Sequence, residues 1–290
     1  MPTRRQLLAA SGGLILASAL SPLLAEETVA PSDDVFAALE RAAGGRLGVA
    51  LLDTGTGRRV GWRDEARFPM CSSFKWLLAA AVLHAVDRGA IGLRQAVAVH
   101  ADDIIAHSPY VQTRVDGGTA TVSDLCRATV IESDNAAANL LLPLIGGPAG
   151  LTAFLRGNGD PVTRLDRNEP TLNEAAAGDP RDTTSPRAMV DDLHRLLLGD
   201  SLRAPSRAML TAWLVDNRTG DARIRAGVPA GWIVGDKTGT CGAGTAADVA
   251  VLYPPDRAPL LLAVYVHGAS ISGPAMDALH ADVARAVLAR

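Results

Sequence analysis

Ser72 stands three residues ahead of Lys75, a spacing that can make a nucleophile. A hydroxyl attacks poorly until a base takes its proton, and on a helix a side chain three places on lies one turn away on the same face. Of the chain's 28 basic residues only two are lysines, Lys75 and Lys237, and arginine carries every other positive charge. Guanidinium keeps its proton in a protein, whereas a buried ammonium can be driven towards the neutral amine and act as a base. Drift towards arginine codons accounts for the scarcity of lysine. It does not account for where the survivors stand, inside Ser72-Ser73-Phe74-Lys75 and Lys237-Thr238-Gly239.

Two further polar motifs lie between them, Ser133-Asp134-Asn135 and Glu169-Pro170-Thr171-Leu172-Asn173. Residues 72–86 are apolar on nearly every face, as in a buried helix. Ser72 would then sit at a helix N-terminus, where free N–H groups and the dipole favour developing negative charge. A serine acyl-enzyme turns over only if water cleaves it, which needs a positioned carboxylate, and Glu169 is the candidate. Lys237, Thr238 and Thr240 offer a cation and two hydroxyls to an anionic ligand, and Arg223 is placed to add a second cation. Read alone, Glu169 is an ordinary loop carboxylate and Arg223 a solvated surface arginine.

In this order the four motifs resemble those of the class A serine β-lactamases, and the resemblance covers essentially the whole chain after residue 25. It implies an α/β two-domain serine β-lactamase/penicillin-binding fold and hydrolysis of the β-lactam amide bond. Ser72, Lys75, Ser133 and Glu169 would be catalytic. Ser72 would carry the acyl group, Ser133 would pass a proton to the ring nitrogen, and Glu169 with Asn173 would hold the deacylating water. Whether Lys75 or Glu169 is the base for acylation stays open. Asn135 would hydrogen-bond the substrate's side-chain amide, and the backbone N–H groups of Ser72 and Thr240 would form the oxyanion hole. Lys237, Thr238, Thr240 and Arg223 would take the substrate carboxylate. Residues 164–184 resemble the family's omega loop, with Arg167 and Asp182 paired at its neck, and Asp134 is expected to be structural.

Within that family, Cys71, Cys241, Arg223 and the run Lys237-Thr238-Gly239-Thr240-Cys241-Gly242 resemble the KPC-type carbapenemases. The resemblance implies a Cys71–Cys241 disulfide tying the strand beside the site to the nucleophile's helix, and carbapenems among the substrates. Three departures bear on substrate range. His107 stands at the cleft wall where many relatives carry a larger aromatic. Asn168 replaces a bulkier apolar residue, and Gly242-Ala243-Gly244-Thr245 is one residue shorter than the KPC-like loop and lacks its aromatic. A penicillin-binding D,D-peptidase, or a β-lactam sensor domain that stays acylated, shares the Ser-x-x-Lys and Lys-Thr-Gly logic but is expected to lack a competent Glu169.

The elements that must position these groups read as follows. Residues 47–53 and 58–62 flank a Thr-Gly-Thr-Gly turn as a hairpin. Thr121-Val122-Ser123-Asp124 resembles a capping box, and helical patterns follow at 136–142, 150–156, 185–198 and 205–215. Strand patterns return at 232–236, 247–253 and 259–267, before a terminal helix over 274–290. That order implies an antiparallel sheet built from both chain ends with packed helices, plus an all-helical domain. The division is an α/β domain of residues 26–65 and 214–290 and an all-helical domain of residues 66–213.

At 290 residues and 48% hydrophobic composition the chain can bury a substantial core. Thr3-Arg4-Arg5-Gln6-Leu7-Leu8 and the apolar run behind it read as an export signal of twin-arginine type over residues 1–25, bound for the periplasm. Gly12, Gly13 and Pro22 interrupt the run, so a stable membrane anchor is not expected. Losing Arg4 and Arg5 moves the formal charge from −3 to −5, with 26 basic against 31 acidic residues, and this mild acidity argues against nucleic acid. Three cysteines in an exported chain suggest one disulfide and a spare thiol, with Cys126 in an apolar helical stretch as the inert one. The six histidines show no His-x-His or His-x3-His spacing, so neither metal nor cofactor is expected. The expected form is a monomer acting on small-molecule β-lactams.

Overall fold

Strands that are apolar at nearly every position must be covered on both faces. Leu260–His267 is buried at all eight of its residues, and Thr245–Tyr253 at all but the last. The computed structural model describes residues 33–289, so the expected export signal and its cleavage site lie outside the described residues. Its main sheet is antiparallel and runs β2-β1-β5-β4-β3, from β1 (Arg46–Asp53), β2 (Arg59–Trp62), β3 (Ile233–Cys241), β4 (Thr245–Tyr253) and β5 (Leu260–His267). The two ends of the chain meet where Arg46 pairs with His267 and Asp53 with Leu260. β3 is an edge strand.

The helices are α1 (Asp33–Ala43), α2 (Phe74–Asp87), α3 (Val122–Ile131), α4 (Asn135–Leu141), α5 (Gly147–Gly157), α6 (Pro186–Leu193), α7 (Ala204–Val215), α8 (Ile224–Gly227) and α9 (Pro274–Leu288). One apolar cluster joins Phe36 of α1 and Leu279 and Val283 of α9 to Leu47, Val49 and Val264 of the sheet. A second joins the opposite-facing Ala50, Leu261 and Tyr265 to α2, α3, α4 and α6. At its centre α2 is buried without interruption over its first ten residues, so Lys75 enters the core with it. Among the described residues no single helix is long and apolar enough to cross a membrane.

The hairpin forms as read, and Thr121 caps α3 by accepting from Asp124 N. Three boundaries differ. α2 begins at Phe74, with Ser72 in a preceding 3-10 turn, Cys71–Ser73. The expected strand at 232–236 continues to Cys241, because Lys237, Thr238 and Gly239 stay in register with Val249, Asp248 and Ala247 and polar residues on an edge can still pair. The helix expected over 185–198 is α-helical only to Leu193 and widens into a π turn over His194–Leu198. α1 was not among the expected elements.

Candidate active site

The turn that holds Ser72 touches β3 through a glycine. A Cβ on Gly239 would lie 2.6 Å from Met70 O and 2.9 Å from Ser73 N, closer than a real side chain tolerates. Glycine therefore lets the Lys-Thr-Gly strand run directly against the turn that holds Ser72. The Cys71–Cys241 disulfide joins the same two segments, with Cα atoms 5.7 Å apart.

Lys75 is fully buried and its ammonium meets more acceptors than it has protons. It donates to Ser72 Oγ at 2.9 Å, to Ser133 O at 2.8 Å and to Asn135 Oδ1, and lies 3.0 Å from Glu169 Oε1. Burial pushes its basicity down, while the charge and hydrogen bonding of Glu169, and then the charge of Asp134, pull it back up. Ser133 sits between α3 and α4 at φ 58°, a left-handed conformation that non-glycine residues rarely adopt. Its hydroxyl is shared by the two lysines, at 3.4 Å from Lys75 Nζ and 3.1 Å from Lys237 Nζ. Lys237 is also fully buried and donates to Thr238 O at 2.9 Å. Burial, then the charge of Lys75, holds its ammonium down to about 7 against the opposing carboxylates of Asp236 and Asp248.

Asp134 is structural: one oxygen accepts from Tyr110 N and Val111 N, and the other caps α4 by accepting from Ala137 N at 2.8 Å. That cap starts the helix carrying Asn135 and Asn139. Asn135 Nδ2 donates to Ala106 O at 2.8 Å. Asn139, one turn on, grips the backbone of Glu169 from both sides, donating to its carbonyl at 2.8 Å and accepting from its N–H at 3.0 Å. The i,i+4 spacing from Asn135 was available in the sequence, but Asn139 was not singled out. Glu169 Oε2 accepts from Asn173 Nδ2 at 2.5 Å. The loop neck is closed as expected, with Asp182 accepting from Asp166 N, Arg167 N and, at 2.6 Å, Arg167 Nε.

A cleft of about 300 Å³ opens onto Ser72, His107, Ser133, Asn135, Asn173, Thr219, Arg223, Thr238, Gly239 and Thr240. Thr219 is a residue that sequence reasoning missed. Its hydroxyl lies 2.5 Å from Thr238 Oγ1 and donates to Asn217 Oδ1, and no motif marks it. Arg223 is no solvated surface residue, being 8% exposed. Four of the five N–H groups a guanidinium carries are engaged, by Asp277 Oδ1, Gly239 O, Ala247 O and Thr240 Oγ1. It therefore braces β3 against β4 and aims the Thr240 hydroxyl. His107, at φ 60°, keeps a ring nitrogen 2.8 Å from Glu132 O, while its own carbonyl accepts from Asn135 N. Cys126 is buried and unbridged, and burial pushes its thiol up, which makes it inert. Among the described residues no group of three or more His, Cys, Asp or Glu is arranged to hold a metal ion.

A family model described as the beta-lactamase enzyme family matches residues 31–290. The chain is 49% identical to beta-lactamase L2 of Stenotrophomonas maltophilia, over 94% of this chain and 93% of that one. It is also 49% identical to the carbapenem-hydrolyzing beta-lactamase KPC of Klebsiella oxytoca, over 94% and 89%. Among solved structures it is similar to an ancestral (GNCA) class A beta-lactamase, 56% identical with a TM-score of 0.86, over 88% of this chain and 98% of that one.

Proposed function

This chain belongs to the class A β-lactamases and hydrolyses the β-lactam amide bond; from that premise we propose a Ser72 acyl-enzyme, deacylated by water that Glu169 activates, with carbapenems among the substrates. The observation that carries the mechanism is the continuous line Ser72 Oγ, Lys75 Nζ, Glu169 Oε1, with steps of 2.9 and 3.0 Å. A proton leaving Ser72 has a basic atom at each step and need not enter bulk water. Either Lys75 as the neutral amine or Glu169 through Lys75 serves as the acylation base.

The oxyanion hole is assigned to Ser72 N–H and Thr240 N–H. In an antiparallel strand each residue points its N–H and C=O to one side, and the side alternates. Thr238 O accepts from Lys237 Nζ on the cleft side, so the N–H of Thr240, two residues on, turns the same way. Ser133 Oγ, held between two lysines, is the proton donor to the departing lactam nitrogen. Lys237, Thr238 and Thr240 bind the substrate carboxylate, with Arg223 acting on it chiefly through Thr240. Asn135 Nδ2 keeps one N–H for the substrate amide.

For deacylation, Asn173 Oδ1 is buried with no donor to it, and Glu169 Oε1 is buried with the Lys75 ammonium 3.0 Å away. An unmet buried acceptor costs about 1–3 kcal/mol, and a water donating to Asn173 Oδ1 and to the Glu169 carboxylate would relieve the cost while facing the ester. The carbapenem reading rests on the Cys71–Cys241 bridge across the nucleophile's turn and on the likeness to KPC. Likeness to L2 is equal, so rates must decide. Action as a monomer and twin-arginine export to the periplasm complete the reading.

The test is the ultraviolet time course of imipenem ring opening at large substrate excess. Sustained loss over many equivalents supports the full reading. A stop after about one equivalent, with a mass adduct on Ser72, would overturn carbapenem turnover, and the same stop with a penicillin would point to a sensor or D,D-peptidase.

A further inference from the structure

Two buried carboxyl groups lie beneath the loop that carries Glu169, and the chemistry above uses neither. Asp160 stands four residues before Arg164, and Asp192 belongs to α6. They are 1% and 0% exposed, and their side chains meet within hydrogen-bonding reach. The oxygens of Asp160 are occupied by backbone donors: Oδ1 accepts from Val162 N at 2.7 Å and Thr163 N at 3.1 Å, and Oδ2 from Thr163 N at 3.2 Å. With both its oxygens already accepting, Asp160 is left as the acceptor of the pair. Asp192 Oδ1 accepts from Arg195 Nη1 at 3.3 Å, but its Oδ2 is buried with no partner that donates to it. Two facing carboxylates would repel here, whereas a neutral Asp192 donating from Oδ2 to Asp160 satisfies both. Burial, then the charge of Asp160, pushes the Asp192 carboxyl well above the usual carboxylate range, with Arg195 opposing.

The Asp160 turn is where the two ends of the loop are fastened. Thr163 Oγ1 lies 2.6 Å from Thr184 Oγ1, and Arg164 N donates to Thr183 O at 3.0 Å. Arg67 Nη1 donates to Val162 O and Thr183 Oγ1, and Arg156 Nη1 to Asp160 O and Thr163 O. Resting on Glu169 as the deacylating base, we propose that Asp192 is a positioning residue for deacylation. As a neutral acid it donates to Asp160, and that bond holds the base of loop 164–184 so that Glu169 faces the acyl-enzyme.

On α6 itself Asp191 pairs with Arg59 and Arg187 with Asp64. Asp160 and Arg195 face Asp192 directly, and β5 brings the buried Tyr265 phenol, which also feels Asp248 of β4. On β1, Arg46 lies over the Phe68 ring and Asp53 pairs with Arg257. Loss of the Asp192 proton sets two carboxylates face to face, so the loop's base loosens and deacylation fails at alkaline pH before acylation does. Asparagine at this position would copy the neutral acid, its Nδ2 donating to Asp160 and its Oδ1 accepting from Arg195, with no proton to lose.

The experiment measures acylation and deacylation rates separately with a penicillin, from about pH 6 to about pH 10, for the parent, Asp192→Asn and Asp192→Ala. Infrared spectra at neutral pH accompany it. The spectrum of the parent minus that of Asp192→Asn is expected to show the carbonyl band of a protonated carboxylic acid, since the buried Asp248, also pushed well above the usual carboxylate range, is common to both. Asp192→Asn should deacylate within about twofold of the parent with a flatter alkaline limb, and Asp192→Ala about tenfold slower with acylation little changed. No such band, or Asp192→Asn as slow as Asp192→Ala, overturns the proposal. If Asp192→Ala does not fold, the band and the pH profile of Asp192→Asn decide. Glu169→Ala in the same assay tests the premise alone: parent-like deacylation there would remove the role of Glu169 while the Asp192 band stood.

Discussion

Lys75 Nζ and Glu169 Oε1 stand 3.0 Å apart with neither side chain exposed to solvent. Two charges taken out of water repay their desolvation only when further hydrogen bonds surround them, and removing one partner strands the other. Lys75 has those bonds in Ser72, Ser133 and Asn135, and Glu169 has Asn173. Ser72 Oγ therefore meets a buried ion pair whose other hydrogen bonds are already in place.

Replacing Glu169 by alanine should separate the two halves of the reaction. Penicillin should still acylate Ser72, since Lys75 loses the charge that holds its proton and becomes a more available amine. Hydrolysis of the adduct should slow by about 100-fold or more. Mass spectrometry after mixing should find the adduct in nearly every molecule; rapid turnover would take the role away from Glu169.

Substrate capture should weaken as pH rises through about 7, where Lys237 loses its proton. The effect belongs in kcat/KM, which reports the free enzyme. Stability should move the other way. The folded value lies below the usual 10.5, so between about 7 and 10.5 the unfolded chain binds more protons and stability rises with pH. Lys237→Arg keeps its charge throughout, so its kcat/KM should stay flat over the alkaline range. An unchanged alkaline limb in that variant would assign the fall to another group.

His280 should make the fold acid-sensitive. Burial, then the charge of Arg223, holds its imidazole down to about 4, against the usual 6.5. The stability of the neutral ring is fully present above 6.5 and lost as pH falls towards about 4, up to ~3 kcal/mol. Urea unfolding at neutral pH and near pH 4 should show this loss in the parent and a smaller one in His280→Leu. Equal losses in the two proteins would clear His280.

Opening the Cys71–Cys241 bridge with Cys71→Ser should cost carbapenem turnover about tenfold more than penicillin turnover, since small displacements of the turn and of β3 reach the site directly. With the cysteines 170 positions apart, the stability lost has a ceiling of about 5 kcal/mol in the chain-entropy description. Parallel steady-state assays decide it: equal losses on both substrates would make the bridge a brace for stability alone.

Much of the candidate site was legible because its parts are short and contiguous. Ser72 and Lys75 need only one helical turn to meet, and Asp134 caps the helix it precedes. Their type and spacing carry the geometry. The Arg167–Asp182 pair could be read from charges at the two ends of one loop. The start of α2 and the length of β3 could not, because polar residues on an edge strand leave no apolar alternation to follow.

What the sequence by itself determined is the set of chemical groups, their order and the elements carrying them, since side-chain spacing on helices and strands depends on local backbone geometry. What only the tertiary structure decided is which groups share an atom or a proton. Ser133 Oγ lies between lysines 58 and 104 residues away. Arg223 is drawn into the seam of β3 and β4, Thr219 onto Thr238, and Asp160 against Asp192. Each meeting is set by how the sheet and helices pack, where burial removes water and leaves every polar atom to find a protein partner. That requirement acts across the whole molecule and leaves no mark at any single stretch of chain.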